Sequence, residues 1–231
     1  MIKYAPCSNM RKPIQFLALI PLTLNSLLGS DGSQLFLNPT EKDQILAYRE
    51  MSLENRQADR FVNDVFKKNI LLNIAYLEGR VKKASDIKWE EIEKPFQYEF
   101  KLEPNKTFAF HSDVKEAYKD SLIKTTNAHF NAAEGFKTDG YLFGDGVCHL
   151  ASLINWAAKD AGLSVEAPTN HNFANIPDLP KQYGVSIYSN PDSKGSNTVQ
   201  NLYITNNKNK IISFRFQYQN DKLRVSVLEL N

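Results

Sequence analysis

The 231-residue sequence carries almost no excess charge, few cysteines and no long uninterrupted apolar run, and each shortage excludes something. Lys and Arg number 28 against 26 Asp and Glu, a formal net charge of +2. That balance supplies no basic footprint for wrapping nucleic acid, so no nucleic-acid partner is expected. The two cysteines, Cys7 and Cys148, are 141 residues apart and too few for a disulfide framework. There is no internal repeat and no low-complexity tract. With 42% hydrophobic and 23% charged residues, disorder and collagen-like repeats are also excluded. One ordinary globular domain remains, or one domain with an N-terminal extension.

The first thirty residues differ from the rest. Residues 1–29 hold Lys3, Arg11 and Lys12 and no acid, and a mostly apolar run follows from Pro13 to Leu28. Basic residues ahead of such a run are what a secretory signal or an N-terminal anchor needs. Pro21, Thr23, Asn25 and Ser26 interrupt the run and weaken it as a bilayer span. Ser26, Gly29 and Ser30 offer small residues for cleavage, without a clean A-x-A pattern. Cys7 precedes the run, so it is not placed like a lipoprotein cysteine. Removing residues 1–29 leaves 25 basic against 26 acidic residues, a net charge of −1. The expectation is a signal peptide or membrane anchor over residues 1–30 and a working domain over 34–231. That domain would lie outside the cytoplasmic membrane, secreted or, if the segment stays uncleaved, held to the membrane by it.

Residues 39–79 read as helical. Thr40 after Asn38-Pro39 is placed to cap, with Asp43 as its capping-box partner. Val62, Phe66, Ile70 and Leu77 recur at helical spacing up to Gly79. Arg49, Glu50, Glu54, Arg56, Asp59 and Arg60 fill the first half, which is expected on the surface. Residues 80–95 read as a polar surface insertion, and 96–231 as the core. Phe96 to Phe110 alternates aromatic and polar residues around Pro104-Asn105, the pattern of a hairpin or two strands. Asp113 to Leu122 suggests a short helix. Val147 to Ala161 is helical, with Gly162 as its stop, and Leu163 to Val165 begins a strand. Three strand-like segments follow, 199–205, 210–218 and 223–230, with Asn206-Asn207 and Asn220-Asp221 as turns. Helices first and strands last give an α+β fold, with helices of the N-terminal half packed on a mainly antiparallel C-terminal sheet.

Chemistry is most readily placed at Gly144-Asp145-Gly146-Val147-Cys148. A cysteine at a helix N-terminus feels the positive end of the dipole and free backbone N–H groups, both of which favour thiolate. The same N–H groups suit an oxyanion. His171 follows the helix and one strand, the order in which papain-like and transglutaminase-like sites are assembled. In that scheme Cys148 is nucleophile, His171 general base and Asn201 orienter, with Gly144, Asp145, Gly146, Val147 and His149 forming the pocket. Against it stands the plainer reading, in which a free cysteine is a small buried hydrophobe; on residue type alone that reading ranks first. His149 is expected on the surface of the helix. No C-x-x-C or H-x-x-x-H spacing supports a metal around Cys148, His149 and His171, and no cofactor is implied.

These residues also resemble a known family. Gly144-x-Gly-Val-Cys148, the Ala-rich helix ending Ala161-Gly162-Leu163, and His171 are similar to the VanW family, bacterial cell-envelope proteins named from vancomycin-resistance clusters. Asn69-Ile70 to Gly79, Phe108 to His111, Thr198-Val199 and Asn201 to Asn206 resemble further segments of it, over roughly residues 60–230. The chain departs from the family pattern at Asp145, His149, Ala151, Thr169, Ser196 and Asn201, where the family carries Gly, Gln, Ser, His and, at the last two, often Asp. The resemblance implies an envelope location and wall peptide or glycan as partner. It leaves two functions open: a Cys-His acyl-transfer enzyme acting on envelope peptides, or a non-catalytic wall-binding or accessory module in which Cys148 is structural.

Overall fold

The computed structural model describes residues 43–190, 192 and 194–231, so the expectations for residues 1–30, Cys7 and the Thr40 cap lie outside the described residues. The chain forms an α+β fold built on two four-stranded sheets. The first has the order β1 (Gln44–Ser52), β8 (Lys222–Glu229), β7 (Ile212–Gln219), β2 (Phe96–Leu102), antiparallel throughout. The second runs β4 (Leu122–Lys124), β3 (Thr107–Ala109), β6 (Tyr203–Thr205), β5 (Ser164–Glu166), with β3 and β4 parallel and the other pairs antiparallel. The helices are α1 (Arg60–Glu78), α2 (Trp89–Ile92), α3 (Val147–Asp160) and α4 (Lys194–Asn197).

Two expected neighbours part company. Pro104-Asn105 does turn the chain, with Asn105 at φ 62°, but β2 and β3 enter different sheets. Asn206-Asn207 likewise carries the chain from β6 in one sheet to β7 in the other. The two sheets meet through aromatic rings: Phe100 on β2 packs 5.1 Å from Phe214 on β7 and 5.2 Å from Phe108 on β3. By contrast Asn220-Asp221, at φ 51° and 54°, forms the expected tight hairpin between β7 and β8.

The N-terminal half of the expected helical span is a strand. Gln44–Ser52 pairs with β8 at the edge of the first sheet. Its charges are cross-strand and inter-element partners rather than one helix face. Glu50 accepts from Arg224 (2.9 and 3.1 Å), and the Arg49 guanidinium lies 4.6 Å from the Trp156 ring on α3 and pairs with Asp160. α1 is therefore capped at its start by Asp59, whose side chain accepts from the Val62 N–H (3.0 Å), and at its end by Gly79 at φ 88°. From Asn69 to Leu77 every residue of α1 is buried. The 80–95 segment is only partly the expected surface insertion: Val81 and Ile92 are core residues. Glu116–Tyr118 forms one 3-10 turn in place of the short helix.

Candidate functional site

α3 forms where expected because Leu150, Leu153, Ile154, Ala157 and Ala158 present one apolar stripe, all of it fully buried. Its start is set by glycine. Gly146 is the N-cap at φ 93°, and a Cβ there would meet the Phe66 carbonyl oxygen of α1 at 2.7 Å. Gly144, at φ 83°, would bring a Cβ to 2.9 Å from Phe130. Both glycines thus serve backbone geometry and close packing, and Val147 lies in the core. Of the expected pocket residues, only Gly144 and Asp145 keep part of their surface accessible.

Asn69, which sequence reasoning passed over as a site residue, holds this loop in place. From inside α1 its amide donates to the carbonyls of Lys137 (3.1 Å) and Asp145 (2.9 Å) and accepts from the Lys137 N–H (2.8 Å). Its signal was present in the Asn69-Ile70 segment of the resemblance. The loop so held is a short hairpin closed by a Thr138–Phe143 bridge and by the Gly144 N–H donating to the Lys137 carbonyl (3.2 Å). Its tip puts Tyr141 (90% exposed), Leu142 and Phe143 into solvent directly before the cysteine loop.

Cys148 sits on the first turn of α3, half-buried as a residue, and its sulfur is occupied. Sγ donates to the Ile187 carbonyl (3.6 Å) and accepts from the Ile187 N–H (3.4 Å). The segment carrying Ile187 is fastened to α3 a second time, where Ser152 Oγ accepts from the Val185 N–H (2.8 Å) and donates to the Cys148 carbonyl (2.7 Å). Burial, with the negative charge of Asp145 adding to it, pushes the thiol up to about 11; the Ile187 N–H only partly offsets this. Burial thus acts on the thiol in the opposite direction to the helix dipole.

His171 is in the loop after β5, not on a strand, and it is buried. Its ring lies 4.0 Å from Phe173, tilted against it and itself 74% exposed, and 6.2 Å edge-on from His149. Burial lowers its pKa, partly countered by the carbonyls of its own residue and of Ala174. His149, expected on the surface, is buried against Phe66 (5.0 Å), and burial, with the charges of Arg56 and His171 adding to it, lowers it to about 3.

Asn201 is fully buried and its amide is spent elsewhere. It accepts from the His111 N–H (3.1 Å) and donates to the carbonyls of His111 (3.1 Å) and Asp113 (3.0 Å). The His111 ring points its Nε2 at the Gln200 carbonyl (3.0 Å), which fixes Nδ1 as the acceptor facing Asn201 (3.4 Å). The histidine that Asn201 orients is therefore His111, in a structural network. The carboxyl of Asp145 is pushed up to about 6 by burial first and by the adjacent Asp139 second.

Arg56, expected on a surface helix, is almost fully buried. It donates to the Pro177 carbonyl (3.0 Å), to Asn55 (2.6 Å) and to Asp178 (2.6 Å), so the loop after His171 is tied to the segment before α1. Nothing in the local sequence signals this, since Pro177 and Asp178 lie more than a hundred residues away. A cleft of about 310 Å³ opens near the start of α1, lined by Leu53, Gln57, Asn63, Lys67 and Asp221 among others; neither Cys148 nor His171 lines it. Among the described residues no group of three His, Cys, Asp or Glu side chains is placed to hold a metal ion.

The fold and site define an α+β two-sheet domain with a cysteine on the first turn of a glycine-capped helix. The chain belongs to the VanW family: VanW like protein matches residues 98–228. That span runs from β2 to β8 and includes the Gly144–Cys148 loop, His171 and Asn201; Asn69 and the rest of α1 precede it. No curated protein and no solved structure matches the chain.

Proposed function

We propose that this chain is an exported VanW-family module of the cell envelope that binds wall peptide or glycan, with Cys148 as a structural residue. The observation that carries the reading is the state of the sulfur. A nucleophilic cysteine needs a thiolate and a base that accepts its proton. Here the sulfur bonds the Ile187 backbone, and the thiol is held up at about 11. Just before it in the chain the protein exposes the consecutive Tyr141, Leu142 and Phe143 on a fastened hairpin, and on the His171 loop it exposes Phe173. Clustered exposed apolar side chains mark interaction surfaces, and aromatic faces suit sugar rings and peptide side chains alike. The envelope location rests on the basic and apolar segment of residues 1–29 and on the family resemblance.

Pelleting of the full chain with purified peptidoglycan tests the proposal. Cys148→Ser should pellet like the parent, while Tyr141→Ala combined with Phe173→Ala should weaken binding by about tenfold or more, the cost of losing one or two aromatic anchors. Release of wall peptide fragments by the parent and not by Cys148→Ser would contradict the reading in favour of acyl transfer.

A further inference from the structure

The loop after β5 is fastened at both ends and hardly at all in between. At its start the Thr169 carbonyl accepts from the Ser186 N–H (2.9 Å) and the Thr169 hydroxyl donates to the Val199 carbonyl (2.9 Å). At its end Ile176 is buried, and Arg56 holds Pro177 and Asp178. Between these points residues 170–175 make no backbone–backbone hydrogen bond among the described residues, and the Asn170 amide reaches the Lys181 carbonyl only at 3.3 Å. All six are exposed except His171. One side chain therefore holds the middle of the loop down, and it is an imidazole. It meets the His149 ring of α3 edge-on at 6.2 Å, and Nδ1 of each ring is shut off from solvent without a hydrogen-bond partner. A proton added at this contact would bury a charge that no acceptor answers. Arg56, from the segment before α1, and His171 itself both act against a proton on His149, and only the carbonyls of His171 and Ala174 favour one on His171. No carboxylate acts on either ring. The two rings differ in freedom. His149 is fixed in a helix and packed against Phe66, whereas His171 rides on the loop beside the mostly exposed Phe173. A proton on the pair is relieved by moving His171.

We propose that His171 is a proton-operated latch: neutral, it holds residues 170–175 down against the start of α3, and protonated, it swings into solvent and frees the loop together with Phe173. The closed state binds one proton fewer than the open one. Closure is therefore complete above the ordinary histidine range of about 6.5 and is lost as pH falls below it, by up to about tenfold per pH unit for one proton. Cys148 stays in place, because its sulfur is bonded to Ile187 on a segment that Ser152 fastens to α3 separately. Since Phe173 belongs to the proposed wall-binding surface, acid weakens wall binding as well; that consequence rests on the wall-binding reading, whereas the latch does not.

The test follows ring-to-ring NMR contacts in the full chain at pH 7 and pH 5, with peptidoglycan pelleting at the same two values. At pH 7 the His149–His171 and His171–Phe173 contacts are expected; at pH 5 both should be lost while the Phe100–Phe214 contact of the core persists. His171→Phe fills the same place with a ring that takes no proton and should keep both contacts at pH 5. Should that variant fail to fold, His171→Gln replaces it, and its Phe173 ring signals should not move between the two pH values. Parent contacts unchanged at pH 5, or lost equally in His171→Phe, overturn the latch. So does loss of the Phe100–Phe214 contact at the same pH, which would mean unfolding of the whole domain. Loop release at pH 5 with no pelleting at pH 7 would support the latch and overturn the wall-binding reading alone. Pelleting with no loop release would do the reverse.

Discussion

His149 shows how a single side chain departs from its sequence expectation. On the first turn of a helix a histidine reads as a surface residue. Here α1 packs across α3 and puts Phe66 against the ring, and Arg56 arrives from the preceding segment. Its folded pKa lies near 3 while the unfolded chain titrates near 6.5. Between those values the unfolded state binds more protons, so stability is lost as pH falls from about 6.5 toward 3. His171, also lowered by burial, acts in the same direction. A urea-unfolding series from pH 7 to pH 4 should show His149→Gln losing stability less steeply than the parent, by up to about 1.4 kcal/mol per pH unit for one proton. Parallel curves would contradict the burial of that ring. Cys148 was legible both ways, as nucleophile and as packed hydrophobe; what favours the second is Ile187, thirty-nine residues on and invisible to any local pattern.

At the level of elements, α3 was legible almost to the residue because its stripe, its glycine start and its glycine stop agree. β1 was not. Its Arg49 and Glu50 look like a solvated helix face until Arg224 and Trp156, their partners across the fold, are known. The strands that change sheets at Asn105 and at Asn206 were equally hidden, since a turn residue bends the chain without naming the strand it joins. The element that positions the site is the hairpin from Lys137 to Gly144, and its fastening is Asn69. Asn69→Ala removes three hydrogen bonds and leaves the Lys137 N–H and the Asp145 carbonyl short of a partner, while the Lys137 carbonyl keeps the Gly144 N–H, a loss of about 2–4 kcal/mol. Hydrogen exchange should accelerate selectively in the 137–145 segment of that variant, and wall binding should fall with it. Uniform acceleration across the chain would mean that Asn69 stabilises α1 rather than the hairpin.

For the whole molecule, the α+β class and the family were readable from composition, order of elements and the Gly-Val-Cys block. The assembly of the site was not, because it joins the segment before α1, the start of α3 and the loop after β5 through contacts far apart in sequence. The protein that results holds its one described thiol inside a finished backbone network and turns aromatic side chains outward beside it. The rate of Cys148 alkylation against pH, in the full chain with Cys7→Ser so that one thiol remains, tests this most directly. The account predicts slow alkylation with an inflection well above the ordinary thiol range of about 8.5 and no change in His171→Ala. A fast thiol with an inflection below that range, lost when His171 is replaced, would contradict it and make the site a catalytic dyad.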